Sequence, residues 1–158
     1  MSGQAAPLSY TPERDIAHIA ALVVGYFRTI TGTEARFLPA SIEMEAPEAP
    51  EFSGRMDVEG SCNGWLSLGL SREMLGGLLE ALGERRRDDE ALLDMTGEMT
   101  STIVSNARAH FGNHLRVRPP HSACGAWAGG WEGRPPLLCI LPFLWGEHQG
   151  TLIISLHA

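Results

Sequence analysis

Short polar side chains clustered around one acid are the feature of this sequence that points most directly to chemistry. Between residues 88 and about 111, a helical period of about 100° per residue brings four of them within about 60° of Glu98. These four residues are Asp94, Ser101, Thr102 and Ser105. Serine and threonine cost a helix roughly a few tenths of a kcal/mol each relative to alanine, and they leave the backbone approachable. The pattern predicts a face against which a partner lies close, although a sparsely decorated solvent face is an open alternative.

The helices that must position this face follow from hydrophobic periodicity. The same segment carries an apolar stripe on its other side and ends at Gly112, so we predict a long third helix. The stripe consists of Leu92, Leu93, Thr96, Met99, Ile103, Ala107 and Phe111. A first helix is predicted over residues 15 to about 31, after the start signal Thr11-Pro12, and a second over residues 71–83.

Strands are indicated where apolar and polar residues alternate. A hairpin is predicted about the turn Glu59-Gly60-Ser61, with its second strand reaching Leu70. Further strands are predicted near residues 41–44, 115–117, 137–144 and 151–156. The order of helix, strands, two helices and strands predicts an α+β domain, with an antiparallel β-sheet and long helices packed on one face.

Length and composition fit a single soluble domain, because the chain has 158 residues and 44% of them are apolar. Residues 1–12 read as a polar N-terminal leader and residues 13–158 as the domain. No apolar run approaches the roughly 20 residues of a membrane helix, and the N-terminus lacks the pattern of a secretory signal. We therefore expect a cytoplasmic location. Cys62, Cys124 and Cys139 form no CxxC pair and are predicted to be buried, reduced thiols.

The charge balance narrows the possible partners and reactions. Twelve basic residues against 19 acidic ones give a net charge of −7, so we expect no binding to nucleic acid or to an anionic membrane. Every one of these basic residues is arginine. Without lysine the chain cannot supply a P-loop lysine, a Schiff base for pyridoxal phosphate or a Ser-x-x-Lys nucleophile.

The third helix resembles the signature helix of the chemotaxis phosphatases CheX and CheC. The similar stretch is Asp94-Met-Thr-Gly-Glu98-Met-Thr-Ser101, followed by Ile103-Val-Ser-Asn106-Ala-Arg108. Helices of that family carry an acid, a Glu four residues later and an Asn three residues after that, with an Asn-Ala-basic triplet downstream. The predicted hairpin, second helix and closing strand also fall where a CheX-like domain has them, over roughly residues 13–157. The resemblance therefore implies the CheX/CheC fold.

This resemblance implies a function in chemotaxis or two-component signalling: binding of a phosphorylated CheY-like response regulator and hydrolysis of its aspartyl phosphate. In the family the helix docks on the receiver domain, where the Glu engages a receiver lysine and the Asn orients a water for in-line attack. Glu98 then takes the catalytic acidic role, and Asp94 the preceding acidic position. Thr102, Ser105 and Asn106 would contact the partner. No cofactor of the chain's own is implied, because the receiver would supply Mg²⁺.

Ser101 stands where the family has its catalytic asparagine. A serine hydroxyl lies closer to the helix and offers one donor, whereas an amide both donates and accepts. Asn106 lies about 140° around the helix from Ser101 and does not easily replace it. Two functions therefore stay open: a phosphatase that uses Glu98 and Ser101, or a catalytically weak or inactive CheX-like interaction module that docks on a receiver, or dimerises, without hydrolysis. Exposed edge strands make a homodimer possible.

A metal centre is the main competing interpretation. Zinc could in principle be held by His110, His114, His121 and Cys124, but no familiar zinc signature covers this spacing. Gly112 interrupts the helix between the first two histidines. We therefore predict no metal site.

Two tryptophans in a glycine-rich stretch form a second candidate binding feature. Trp127 and Trp131 are predicted to fold back over the domain's own core, which is the commoner place for a tryptophan in a turn. An exposed contact with a partner is the alternative.

Overall fold

A computed structural model describes residues 11–129 and 137–157 of the chain. Along this part of the chain one helix is followed by four strands, two helices and four more strands, which is the predicted order of helix, strands, two helices and strands. The helices are α1 (Pro12–Thr31), α2 (Arg72–Ala81) and α3 (Asp89–Phe111). The strands are β1 (Arg36–Phe37), β2 (Ser41–Glu43), β3 (Phe52–Glu59), β4 (Asn63–Leu70), β5 (Arg116–Val117), β6 (His121–Cys124), β7 (Leu138–Trp145) and β8 (His148–His157).

All of these strands join one antiparallel sheet in the order β1-β7-β8-β4-β3-β5, with β2 also on β7 and β6 also on β3. Two hairpins form its centre. In β3–β4, Phe52 lies opposite Leu70, and in β7–β8, Cys139 lies opposite Ile154. Strand β4 pairs with β8, with Leu66 opposite Ile154, and so joins the hairpins. The predicted α+β class and antiparallel sheet are confirmed.

The helices pack on one face of this sheet and form the main core with it. Helix α3 lies across β3 to β6, while α1 and α2 pack beside α3 and against β8. Each of these layers contributes fully buried side chains, among them Phe27, Phe52, Leu92 and Phe143. Burying one apolar side chain of this size contributes roughly 1.5–3 kcal/mol, so α3 is held in place mainly by its buried stripe.

A smaller apolar cluster covers part of the opposite face of the sheet. It contains Trp127, Leu138, Ile140 and Ile153. The indole Nε1 of Trp127 donates to the carbonyl oxygen of Pro47 at 3.0 Å, and only 8% of this residue is exposed. The prediction that Trp127 folds back over the domain's own core is therefore confirmed. Trp131 lies outside the described residues.

The predicted helix starts and stops agree closely with the structure. Helix α1 begins at Pro12 rather than Asp15, because proline is well suited to the first turn of a helix, and it ends at Thr31, where Gly32 caps it with a positive φ of 79°. The Ser71 hydroxyl caps α2, accepting from the amide of Met74 at 3.1 Å. Residues 1–10 lie outside the described part of the chain, so the polar leader stays a prediction. Among the described helices, none is long and apolar enough to cross a membrane.

Two edge strands, β1 and β6, are the part of the fold that the sequence pattern does not predict. Strand β6 is exposed or half-buried and lacks apolar alternation, yet it pairs with β3, placing Ser122 opposite Gly54 and Cys124 opposite Phe52. Cys62 and Cys139 are buried as predicted. For Cys124 the prediction is wrong: it lies at the end of this edge strand, where its thiol is exposed.

Candidate functional site

Helix α3 lies unusually close to strand β3, and this approach sets the height of its outer face above the sheet. A Cβ on Gly54 would overlap the Oγ1 atom of Thr100 and would meet Cγ2 of Thr96 at 3.2 Å. Both threonines are buried, and their hydroxyls donate to the backbone carbonyls of Leu92 and Thr96 at 2.7 and 2.8 Å. The missing side chain of Gly54 therefore lets two satisfied hydroxyls pack directly on the strand.

The N-terminal end of α3 is fixed by its own cap. The Asp88 carboxylate accepts from the backbone amide of Ala91 at 3.1 Å, and Asp89 and Glu90 add negative charge to the first turn. Such charges are favourable beside the positive end of the helix dipole. The cap and the buried stripe together determine which residues of α3 face solvent.

The structure places the predicted site residues along the outer face of α3. Exposed positions are Asp94, Glu98, Thr102, Ser105 and Asn106, whereas Ser101 is half-buried. Ser101 lies one helical turn after Gly97 and on the same side of the helix. Asn106 lies well around the helix from Ser101, so the structure brings Asp94, Glu98 and Ser101 together and leaves Asn106 apart.

Asp94 and Glu98 form a ridge between two depressions in the surface. The first, which we call the β6 groove, has a volume of about 400 Å³ and is lined by Leu93, Asp94, Gly97, Glu98 and Ser122. The second, the α2 cleft, has a volume of about 390 Å³. Its lining consists of Leu79, Leu82, Glu84, Arg86, Ala91, Asp94, Met95 and Glu98. Both acids are therefore accessible from two sides.

The Glu98 side chain is available to bind a partner. The carboxylate is exposed, and it forms no hydrogen bond or ion pair with any of the described residues. An unpaired carboxylate on a ridge can accept hydrogen bonds from a cationic group of a docking protein, and such charge-assisted bonds are about twice as strong as neutral ones.

Ser122 is a site residue that the sequence does not reveal. It comes from the edge strand β6 and lines the same groove as Glu98, with Gly97 between them. A Cβ on Gly97 would lie 3.2 Å from the Oγ atom of Ser122, so the absent side chain keeps the groove open. Glycine costs roughly 1 kcal/mol relative to alanine inside a helix. Gly97 is therefore the one sequence signal that could have indicated a close approach between helix α3 and another element.

Tyr26 is a second neighbour that the sequence does not reveal. It lies half-buried on α1, packed against the core. Burial, and after it the negative charge of Glu98, raise the pKa of the Tyr26 phenol to about 12. The phenol therefore keeps its proton at physiological pH.

The four candidate zinc ligands do not form one site. His110 bonds to Asp15 on α1 and stacks on His18, with ring centroids 3.9 Å apart, whereas His121 and Cys124 belong to β6. In residues 11–129 and 137–157, no group of three or more His, Cys, Asp or Glu side chains is placed to hold a metal ion.

Comparison with known proteins links this arrangement to one family. Residues 52–126, which include all of α3, match the family model "Chemotaxis phosphatase CheX". No curated protein sequence matches the chain. Among solved structures, the chain is similar to the chemotaxis protein CheX from Vibrio vulnificus, with 18% sequence identity and a TM-score of 0.76. That alignment covers 91% of this chain and 99% of the other.

Two further structures extend the similarity. A CheC-like superfamily protein from Shewanella sp. PV-4 is 17% identical with a TM-score of 0.79, and the alignment covers 94% of this chain and 100% of that one. A CheX-CheY-BeF3-Mg²⁺ complex from Borrelia burgdorferi is 16% identical with a TM-score of 0.66, covering 90% and 97%. The chain therefore has the fold of these CheX and CheC-like structures, and its residues 52–126, which carry the α3 motif, match the CheX family model.

Proposed function

We propose that this chain binds a phosphorylated CheY-like response regulator through α3 and accelerates hydrolysis of its aspartyl phosphate. The observation that carries the proposal is the position of Glu98: exposed, without a bonded partner in the described residues, and on a ridge flanked by two depressions. The Borrelia burgdorferi structure, a CheX-CheY complex of the same fold, supports a receiver as the partner. A receiver partner also supports the predicted cytoplasmic location.

In this proposal the chain positions the reacting groups and stabilises charge, and it forms no covalent bond to the phosphoryl group. A water molecule attacks phosphorus in line with the acyl oxygen, the P–O bond to the receiver aspartate breaks, and the products are inorganic phosphate and a free carboxylate. In the proposed complex Glu98 binds the receiver's lysine, and Ser101 holds the attacking water. The receiver holds the Mg²⁺. Correct orientation of reacting groups alone can contribute several kcal/mol to lowering such a barrier.

Ser101 is also the reason for an alternative proposal. Its side chain is short and half-buried, so its hydroxyl lies nearer the helix than an asparagine amide would. A chain with this residue could keep the docking face while hydrolysing slowly or not at all. In that case the CheX-like domain acts as an interaction module for receivers.

The predicted homodimer remains a proposal as well. Strand β2 lies at one edge of the sheet, and nearby apolar residues are exposed: Ile42 by 59%, Met44 by 76% and Leu137 by 53%. Edge strands of this kind can pair between two copies. Light scattering of the purified chain over a range of concentrations tests this proposal, because a dimer doubles the mass.

Phosphate release from a phosphorylated CheY-like receiver distinguishes the enzyme from the module. The decay is measured without addition, with the wild type and with Ser101→Asn, and binding of each protein to the receiver is measured in parallel. Faster decay with the wild type supports the phosphatase. Binding without acceleration, with activity gained in Ser101→Asn, supports the module. If neither protein binds the receiver, both proposals are wrong.

A further inference from the structure

The α2 cleft extends the proposed docking surface beyond helix α3. It lies between the C-terminal end of α2, the connection that follows and the first turns of α3. Its floor is apolar and well packed, with Leu79, Ala91 and Met95 exposed by 6, 9 and 2%. At its rim, Leu82 is exposed by 47% and adds accessible apolar surface beside this floor.

Carboxylates surround this apolar floor. Glu84, Asp94 and Glu98 line the cleft, and none of them has an ion-pair partner in the described part of the chain. The one cation in the lining, Arg86, is already engaged, with its Nη2 atom 3.0 Å from Asp88 and 3.5 Å from Glu90. Three carboxylates and one guanidinium therefore give the cleft a net negative charge around its apolar surface.

Only one class of protein side chain matches both properties. Lysine and arginine combine an apolar stem, which can lie along leucine and methionine, with a cationic head that binds carboxylates. We infer that the α2 cleft binds a second basic side chain of the receiver that docks on Glu98, and that this contact selects among receivers. The inference rests on the proposed function and adds the chemistry of the partner. Because Asp94 and Glu98 also line the cleft, a receiver on the ridge already lies next to it.

A charge reversal at the rim tests the inference without touching Glu98. The probe is a CheY-like receiver loaded with beryllofluoride and Mg²⁺, titrated into the wild type, Glu84→Arg and Leu82→Ser at low and high salt. Glu80→Arg is the matched control, because Glu80 is exposed on α2 but does not line the cleft. We expect Glu84→Arg to weaken binding about tenfold at low salt, since a like charge then faces the receiver's cation. Leu82→Ser should weaken binding by a smaller factor at both salt concentrations, and Glu80→Arg should leave it unchanged.

The outcomes separate this inference from the proposed function. If the wild type does not bind the receiver, both fail. If the wild type binds the receiver, and if Glu98→Ala weakens this binding while Glu84→Arg does not, then the inference alone is wrong. Equal losses for Glu84→Arg and Glu80→Arg would show a general charge effect and would also overturn it. A change in self-association for Glu84→Arg, with unchanged receiver binding, would assign the cleft to a second copy instead.

Discussion

Nε2 of His110 lies 2.7 Å from Oδ1 of Asp15 and joins the last turn of α3 to the first turn of α1. Asp15 is fully buried, and its other oxygen accepts from the backbone amide of Thr11 at 2.6 Å. The Arg14 guanidinium lies 2.9 Å from the same carboxylate. This carboxylate therefore anchors the end of α3 that lies farthest from the cap, and so helps to hold the helix that carries Glu98.

Asp15→Asn should destabilise the fold. The amide keeps the shape of the side chain but removes the charge that His110 and Arg14 bind, and an imperfectly satisfied buried group costs roughly 1–3 kcal/mol. Urea unfolding followed by circular dichroism measures the effect. Glu13→Gln, an exposed change in the same turn, is the control and should alter the free energy of unfolding by less than about 0.5 kcal/mol. Equal stability of the two variants would contradict the anchoring role.

The stability of the fold should fall as the pH drops, in two separate windows. Burial, and after it the charge of His110, lower the pKa of His18 below 6.5, so the unfolded chain binds a proton more readily than the folded one. Stability due to neutral His18 is present above pH 6.5 and is lost as the pH falls from there through the lowered pKa. His18→Gln should therefore flatten the slope of unfolding free energy against pH in the range just below 6.5. An unchanged slope would show that His18 is not responsible.

The second pH window, at more acidic pH, depends on Asp15. Burial acts to raise its pKa, but the hydrogen bonds from Arg14, His110 and Thr11 outweigh burial and lower the pKa below 3.8. The stability that depends on this carboxylate is present above that pH and is lost as the pH falls through the lowered value. In Asp15→Asn this acid-dependent loss should be smaller, and the pH titration of unfolding shows the difference directly.

Gly97→Ala should separate stability from function. Alanine is favoured over glycine inside a helix by roughly 1 kcal/mol, and the added methyl would meet only the Ser122 hydroxyl, at 3.2 Å. We expect a protein of equal or greater stability in which the β6 groove is narrower and receiver binding is weaker. Gly76→Ala, in α2 and away from the groove, is the control for a general helix effect. Unchanged binding in Gly97→Ala would mean that the partner does not enter the groove.

Gly54→Ala should have the opposite balance, with stability lost. Its Cβ would overlap the Thr100 hydroxyl in a packed core, and overpacking of this kind costs roughly 1–3 kcal/mol. The double variant Gly54→Ala/Thr100→Ala should recover part of the loss, because it removes the clashing oxygen. Purely additive effects of the two substitutions would show that these residues do not contact each other as described.

The sequence predicts α3 well because a long buried stripe repeats every three to four residues, so the outer positions of Asp94 and Glu98 follow from the same period. The sequence gives a poor prediction of the side of the site that strand β6 forms. Ser122 reaches the groove through pairing of an exposed edge strand with β3, and such a strand carries no apolar alternation. The burial of Asp15 is equally hidden, since its partner His110 lies 95 residues away in the chain.

The rate of phosphate loss from a phosphorylated CheY-like receiver tests the central proposal most directly, with Glu98→Ala compared against Glu90→Ala. Both residues are exposed acids on α3, but only Glu98 lies on the ridge. We expect the wild type and Glu90→Ala to accelerate the decay equally, and Glu98→Ala to lose the acceleration by at least about tenfold. Equal acceleration by Glu98→Ala and the wild type would contradict the assignment of Glu98.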